Sequence, residues 1–220
     1  MSSAPVVAID GPSASGKGTV AQNVARELGF HYLDSGSLYR LVALAAMREG
    51  LDLADEAQLS RLAGRLPARF DGARISLGEE RVTEAIRSEA CSLAASRVAA
   101  LPAVRQALLA RQHRFRQPPG LVAEGRDMGS VVFPDATLKV FLTASFDARA
   151  DRRYKQLKEQ GIAATLPLLL QDLRERDARD ASRSVAPLKQ SPGARLLDTT
   201  SLSAAQAAAL IVGWYRGAYG

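Results

Sequence analysis

Residues 6–19 read Val-Val-Ala-Ile-Asp-Gly-Pro-Ser-Ala-Ser-Gly-Lys-Gly-Thr. Gly11 and Gly16 bracket Pro12, Ser13, Ala14 and Ser15; Lys17 and Gly18 follow, and Thr19 closes the segment. Each residue type suits one task in holding a chain of phosphates. Glycine permits the tight curl that turns several backbone N–H groups toward one anion. A helix that starts at the loop adds the positive end of its dipole at the same place. The Lys17 ammonium can reach the β- and γ-phosphates, and the Thr19 hydroxyl is a ligand for Mg2+. The apolar run Val6–Ile9 before the loop and the spacing of Val20, Val24 and Leu28 after it place the loop between a strand and a helix. That is the context this motif requires, and it predicts a nucleotide site over residues 11–19.

Whether such a loop belongs to a transferase turns on a second place for an anion. Tyr39 and Arg40 lie off the apolar stripe of Leu38, Leu41 and Val42, so they are expected to project from the ligand end of the sheet. Arg126 and Asp127 come directly after the apolar run Leu121–Ala123 and are flanked by Gly125 and Gly129, at the end of a strand where ligands are bound. Arg176, Asp180 and Arg183 fall at i, i+4 and i+7 of a charged helix, with Arg179 beside them. Guanidinium groups on one face suit a transferring phosphoryl group, whose charge is spread over its equatorial oxygens. The bland alternatives are a surface pair at 39–40 and a solvated helix laced with ion pairs such as Asp172–Arg176. The two histidines, His31 and His113, have no catalytic-looking neighbours.

The elements that must position these groups alternate between strand and helix. Strands are expected at 6–9, 30–33, 121–123, 138–142 and 195–197, with helices after the loop, from about Ser37, and after Ser203 as an N-cap. Repeated alternation predicts an α/β fold with a five-stranded parallel sheet flanked by helices. Two stretches interrupt it. Short pieces around Ala68–Phe70, Arg74–Leu77 and Glu80–Val82, separated by Asp71-Gly72 and Gly78-Glu79, read as a small inserted antiparallel meander, and Pro167–Arg183 reads as a charge-dense helix. At 220 residues and 47% hydrophobic the chain suits one domain with an insertion. Its net charge of +6, carried mostly by dispersed arginines, points to anionic partners. The single cysteine, Cys91, excludes an intramolecular disulfide and reads as a half-buried thiol. No signal peptide or membrane-length apolar run is visible, so a cytoplasmic protein is expected.

Four segments resemble the bacterial cytidylate kinases: Ile-Asp-Gly-Pro-Ser-Ala-Ser-Gly-Lys-Gly-Thr, Leu-Asp-Ser-Gly-Ser-Leu-Tyr-Arg, Glu-Gly-Arg-Asp-Met-Gly-Ser-Val-Val-Phe-Pro-Asp-Ala and Arg-Asp-Ala-Arg-Asp-Ala-Ser-Arg. Gly18 between the lysine and the hydroxyl residue is likewise the spelling of nucleoside monophosphate kinases. The resemblance spans nearly the whole chain and implies an enzyme of that P-loop fold that moves the ATP γ-phosphoryl group to CMP or dCMP with Mg2+. By matching position it implies ATP on residues 11–19. It implies CMP on Ser35, Tyr39, Arg40, Ser96, Arg105, Glu124, Arg126, Arg176, Asp180 and Arg183, with Arg179 in a lid. Lys17, Arg126, Arg176 and Arg179 would act on the transferring group. Glu124 stands where the family has aspartate, Ser130 where it has threonine, and the meander is shorter than in enterobacterial members. The implied organisation is a single kinase domain: a core of 1–62, 87–148 and 190–220, a flap at about 63–86 and a lid at about 165–185. A monomer acting on small molecules, without nucleic acid or membrane, completes the expectation. The rival readings are a kinase for AMP, UMP or shikimate, and a basic nucleotide switch that binds RNA. The latter would need a contiguous basic face with interleaved aromatics, and aromatics make up only 5% of the chain.

Overall fold

A computed structural model describes residues 4–71, 74–159 and 165–218; Gly72 of the expected turn lies outside them. In chain order the elements are β1 (Val6–Asp10), α1 (Lys17–Leu28), β2 (His31–Asp34), α2 (Ser35–Arg48), α3 (Glu56–Arg65), β3 (Ala68–Asp71), β4 (Arg74–Leu77), β5 (Glu80–Arg81), α4 (Glu89–Val98), α5 (Pro102–His113), β6 (Leu121–Gly125), β7 (Leu138–Thr143), α6 (Phe146–Glu159), α7 (Leu166–Ser182), β8 (Arg195–Asp198) and α8 (Ala204–Gly217). They form two compact units, one of Met1–Leu33 with Arg114–Gly220 and one of Asp34–His113.

The first unit is built on the expected five-stranded sheet, in the order β2-β6-β1-β7-β8. The β1–β6, β1–β7 and β7–β8 pairs are parallel, with Ile9 opposite Glu124 on one side and Val140 on the other. Every residue of β1 is buried, as a central strand covered on both faces demands, whereas the edge strand β8 is mostly exposed. Val7, Ile9, Val122, Val140 and Leu142 pack with Val20 and Val24 of α1 and with Ala207, Ile211 and Val212 of α8. α1 stops at Gly29, whose φ of 67° lets its N–H turn back to the Ala25 and Arg26 carbonyls. Phe30, expected to open β2, donates its N–H to Ala25 instead and packs edge-on against Tyr215, so β2 begins at His31. Ser203 caps α8 as expected, through a reciprocal pair of contacts with Gln206.

The second unit holds α2, α3, α4, α5 and the meander, a three-stranded antiparallel sheet in the order β3-β4-β5 with Phe70 opposite Ile75. α2 starts two residues before the expected Ser37 because Asp34 caps it, accepting from the Ser37 N–H at 3.2 Å and its hydroxyl at 2.6 Å. Cys91 is fully buried, not half-buried: α4 packs its small-residue face on α2, and the thiol donates to the Arg40 carbonyl at 3.3 Å. Burial pushes that thiol above its ordinary pKa. Among the described residues no helix is long and apolar enough to cross a membrane.

Candidate active site

Parallel pairing brings the ends of β1, β6, β7 and β8 to one edge of the first unit, and the loop Gly11–Gly16 leaves β1 there. Gly11 comes so close to the Leu142 backbone carbonyl that a Cβ would overlap it. Gly11→Ala is therefore expected to force β1 and β7 apart and cost about 1–3 kcal/mol, a fall of about 3–10 °C in melting temperature. A melting temperature within 2 °C of the wild type would contradict this. Ala14 takes a left-handed φ of 56° and Gly16 one of 90°, the alternation that makes a curled loop expose its N–H groups.

Lys17 is only 5% exposed, and its ammonium donates to the Pro12 carbonyl at 2.7 Å and to Ser15 Oγ at 3.4 Å. Burial, reinforced by the neighbouring Arg126 guanidinium, lowers its pKa to about 7 against the pull of Glu124, Asp180 and Asp10. Thr19, one turn into α1, is exposed. Asp10, the one charged residue of β1, accepts from the N–H groups of Met128 and Gly129 at 2.8 Å each. These begin a single π-helical turn, Met128–Val132, directly after β6. Burial raises the Asp10 carboxyl to about 6 although both N–H groups favour its charged form. Asp127, expected to face ligand, is buried at the start of that turn, where its carbonyl accepts from Val131 and Val132.

The arginines of the charged helix meet those of β6. Arg126 donates from Nε to Asp180 at 2.7 Å and from Nη2 to Ser13 Oγ of the loop at 3.0 Å. Arg183 also donates to Asp180, and Arg176 contributes to the field at that carboxylate. Burial would raise the Asp180 pKa, but Arg126 and Arg183 outweigh it and hold the carboxyl below its ordinary value. The expected i, i+4, i+7 face is met with one change, since α7 ends at Ser182 and Arg183 is its cap. Arg179 lies 3.8 Å from Glu175 on the same helix. Glu124 turns toward α1: its Oε1 lies 3.5 Å from the Tyr32 hydroxyl and 3.5 Å from where a Cβ on Gly18 would stand.

The remaining candidates belong to the second unit. Ser35 and Ser96 are buried at the start of α2 and near the end of α4. Tyr39, expected to project from the ligand end of the sheet, is only 7% exposed. Its ring lies 5.5 Å from the Arg105 guanidinium, which donates to the Ala99 carbonyl at 2.9 Å. Arg40 is half-buried. The candidates thus gather in two sets: Lys17, Glu124, Arg126, Arg176, Asp180 and Arg183 about the loop of the first unit, and Ser35, Tyr39, Arg40, Ser96 and Arg105 within the second.

Two loop supports had no forecast in the sequence. Arg149 of α6 donates to the Ser13 carbonyl at 3.2 Å and pairs with Asp177 at 2.7 Å; Arg152 donates to the Ser15 carbonyl at 3.0 Å. Both sit in Asp-Ala-Arg-Ala-Asp-Arg-Arg, a run that reads as a solvated helix face; its only signal is that three arginines follow a strand end so closely.

The cytidylate kinase family model matches residues 7–216. The cytidylate kinase of Polynucleobacter asymbioticus is 57% identical over 218 residues, 99% of each chain. Those of Chromobacterium violaceum and Bordetella bronchiseptica are 57% identical over 212 residues and 55% over 213, covering 96–97% of this chain and 96% of their own. Among solved structures, a gluconokinase from Sinorhizobium meliloti is far more distant, at 16% identity and a TM-score of 0.49 over 97% of this chain and 92% of its own. Matched over nearly its full length by the family model and by relatives well above half identical, the chain belongs to the cytidylate kinase family.

Proposed function

We propose that this chain transfers the γ-phosphoryl group of ATP to CMP or dCMP. The observation that carries the reading is the contact of Arg126 with Ser13: a guanidinium tied to an acidic residue of the charged helix also touches the phosphate loop beside Lys17. Such an arrangement suits a reaction in which charge moves between oxygens and little covalent chemistry falls to the protein. The phosphate of CMP is largely ionised near neutral pH, so the acceptor needs no strong general base. Of the two histidines, His31 lies exposed on β2.

In this reading residues 11–19 hold the ATP phosphates, and Lys17 with Arg126, Arg176 and Arg179 neutralises the transferring group. Arg40 and Arg105, with Arg126, take the CMP phosphate, while Ser35, Ser96, Asp180 and Arg183 read ribose and cytosine. Tyr39 supports Arg105 through its ring. Glu124 is assigned to the same acceptor site. The segment 63–86 is assigned as a flap over the monophosphate and 165–185 as a lid. The exposed Thr19 hydroxyl fits Mg2+, an ion that takes few protein ligands beside substrate phosphates. When bound, the ion supplies positive charge to the β- and γ-oxygens. In this reading the enzyme is a cytoplasmic monomer.

The test is turnover with Mg-ATP and a panel of monophosphates, read as ADP release. CMP and dCMP are expected to exceed AMP and UMP at least about tenfold in kcat/KM, the range a hydrogen-bonded base site supplies. AMP or UMP equal to CMP would refute the acceptor assignment and leave the donor loop standing.

A further inference from the structure

A loop whose N–H groups converge on an anion turns its carbonyls the other way, and each carbonyl then needs a donor of its own. Side chains supply them here. The Pro12 carbonyl takes Ser15 Oγ and Lys17, the Ser13 carbonyl takes Arg149, and the Ser15 carbonyl lies 3.0 Å from Arg152 Nη1 and 3.2 Å from Thr199 Oγ1. The Ser15 carbonyl matters most, because a planar trans peptide sets it antiparallel to the Gly16 N–H. Fixing one fixes the aim of the other.

Thr199 is the first residue after β8 and is 2% exposed. Its N–H donates to the Thr143 carbonyl at 2.8 Å, so the residue is anchored to the end of β7. Its carbonyl accepts from Arg152 Nη2, and its hydroxyl oxygen accepts from Arg152 Nη1 at 3.1 Å. The single hydroxyl proton is left for the Ser15 carbonyl or the Thr143 carbonyl at 3.0 Å. The planar guanidinium serves three acceptors from two nitrogens held in one plane, where a lysine presents a single nitrogen on a flexible stem. The guanidinium also lies directly behind Gly16, with Nη1 3.7 Å from where a Cβ would stand.

We propose that Thr199, together with Arg152, is a positioning residue for the phosphoryl donor: the hydroxyl and the guanidinium hold the Ser15–Gly16 peptide plane so that the Gly16 N–H stays aimed at the polyphosphate. The inference rests on the donor-site reading of residues 11–19. The test pairs Thr199→Val, which keeps the shape and the backbone bonds, with Thr199→Ser, which keeps the hydroxyl. The probe is tripolyphosphate with Mg2+, titrated calorimetrically, beside CMP titration and turnover. Thr199→Val is expected to weaken tripolyphosphate binding and lower kcat about tenfold to a hundredfold, the scale of a small misplacement of an aligned group. Its affinity for CMP stays within about twofold, since no CMP group depends on this peptide, and Thr199→Ser recovers most of both losses. Wild-type tripolyphosphate affinity in Thr199→Val, a parallel loss of CMP affinity, or no recovery in Thr199→Ser overturns the proposal. Should Thr199→Val fail to fold, Arg152→Lys takes its place: the same selective loss is expected, and unchanged tripolyphosphate affinity overturns the proposal. A folded wild type that does not bind tripolyphosphate overturns the donor-site reading itself, and this proposal with it.

Discussion

Replacing Lys17 by methionine is expected to lower kcat about a thousandfold or more while leaving the fold intact, because one preorganised charge on a transferring phosphoryl group carries that much. Methionine keeps the length of the side chain, and Ser15 Oγ still donates to the Pro12 carbonyl, so no buried acceptor is orphaned. The ligand-free variant is expected to melt above the wild type in acid. Lys17 has a folded pKa of about 7 against an ordinary 10.5, so between those values the unfolded chain holds more protons than the folded one. Stability gained from this group therefore rises with pH across that window, and the burial penalty is fully present below pH 7. The advantage of Lys17→Met should be largest near pH 6 and fade toward pH 10. Binding of Mg-ATP above pH 7 should draw the Lys17 pKa back up and take a proton from solution. Calorimetry in buffers of different ionisation enthalpy measures that uptake, and Lys17→Met should abolish it. A variant that keeps a tenth of wild-type turnover, or the same proton uptake, would remove Lys17 from the chemistry.

What was legible in the sequence follows from how local each signal is. The phosphate loop is contiguous, and its residues announce both the curl and the charge; the strands on either side are short apolar runs with nothing to compete with them. Asp34 caps α2, and its sequence context suits a turn equally well, since the same Asx geometry serves both. A single apolar stripe on α2 puts Tyr39 outside the core, whereas the helix is buried on almost every side. The least legible groups act on backbone: Arg149 reaches the Ser13 carbonyl across 136 residues, and Thr199 reaches the Ser15 carbonyl across 184. A carbonyl leaves no mark in a sequence, so its partners look like ordinary surface residues. The Arg126–Asp180 pair lies between these cases. Both ends stand out in the sequence, yet only folding joins a strand end to a helix 54 residues away.

That pair carries the second large effect. Asp180→Ala is expected to cost about 3–5 kcal/mol, the range for removing one partner of a buried ion pair, and to lower the melting temperature by about 10 °C or more. Asp180 is 1% exposed and is the shared counter-charge of Arg126 and Arg183, so truncation takes from both guanidinium groups the carboxylate to which they donate. Their mutual repulsion then adds to the lost hydrogen bonds. Asp180→Asn keeps the shape and one acceptor but no charge, and falls between the wild type and alanine. The pH dependence separates charge from packing. The folded Asp180 pKa lies below its ordinary 3.8, so its stabilisation is complete above that value and is lost as the pH falls through the folded pKa. The gap in denaturant midpoint between the wild type and Asp180→Asn should be constant from pH 5 to 8 and close toward pH 3. A gap that stays fixed to pH 3 would assign the cost to packing alone. Phosphate ligands provide an independent check, because an anion brought to Arg126 restores part of the missing charge. Mg-ATP should therefore raise the melting temperature of Asp180→Asn by more than it raises that of the wild type. Equal rises would show that Arg126 meets no phosphate of the donor.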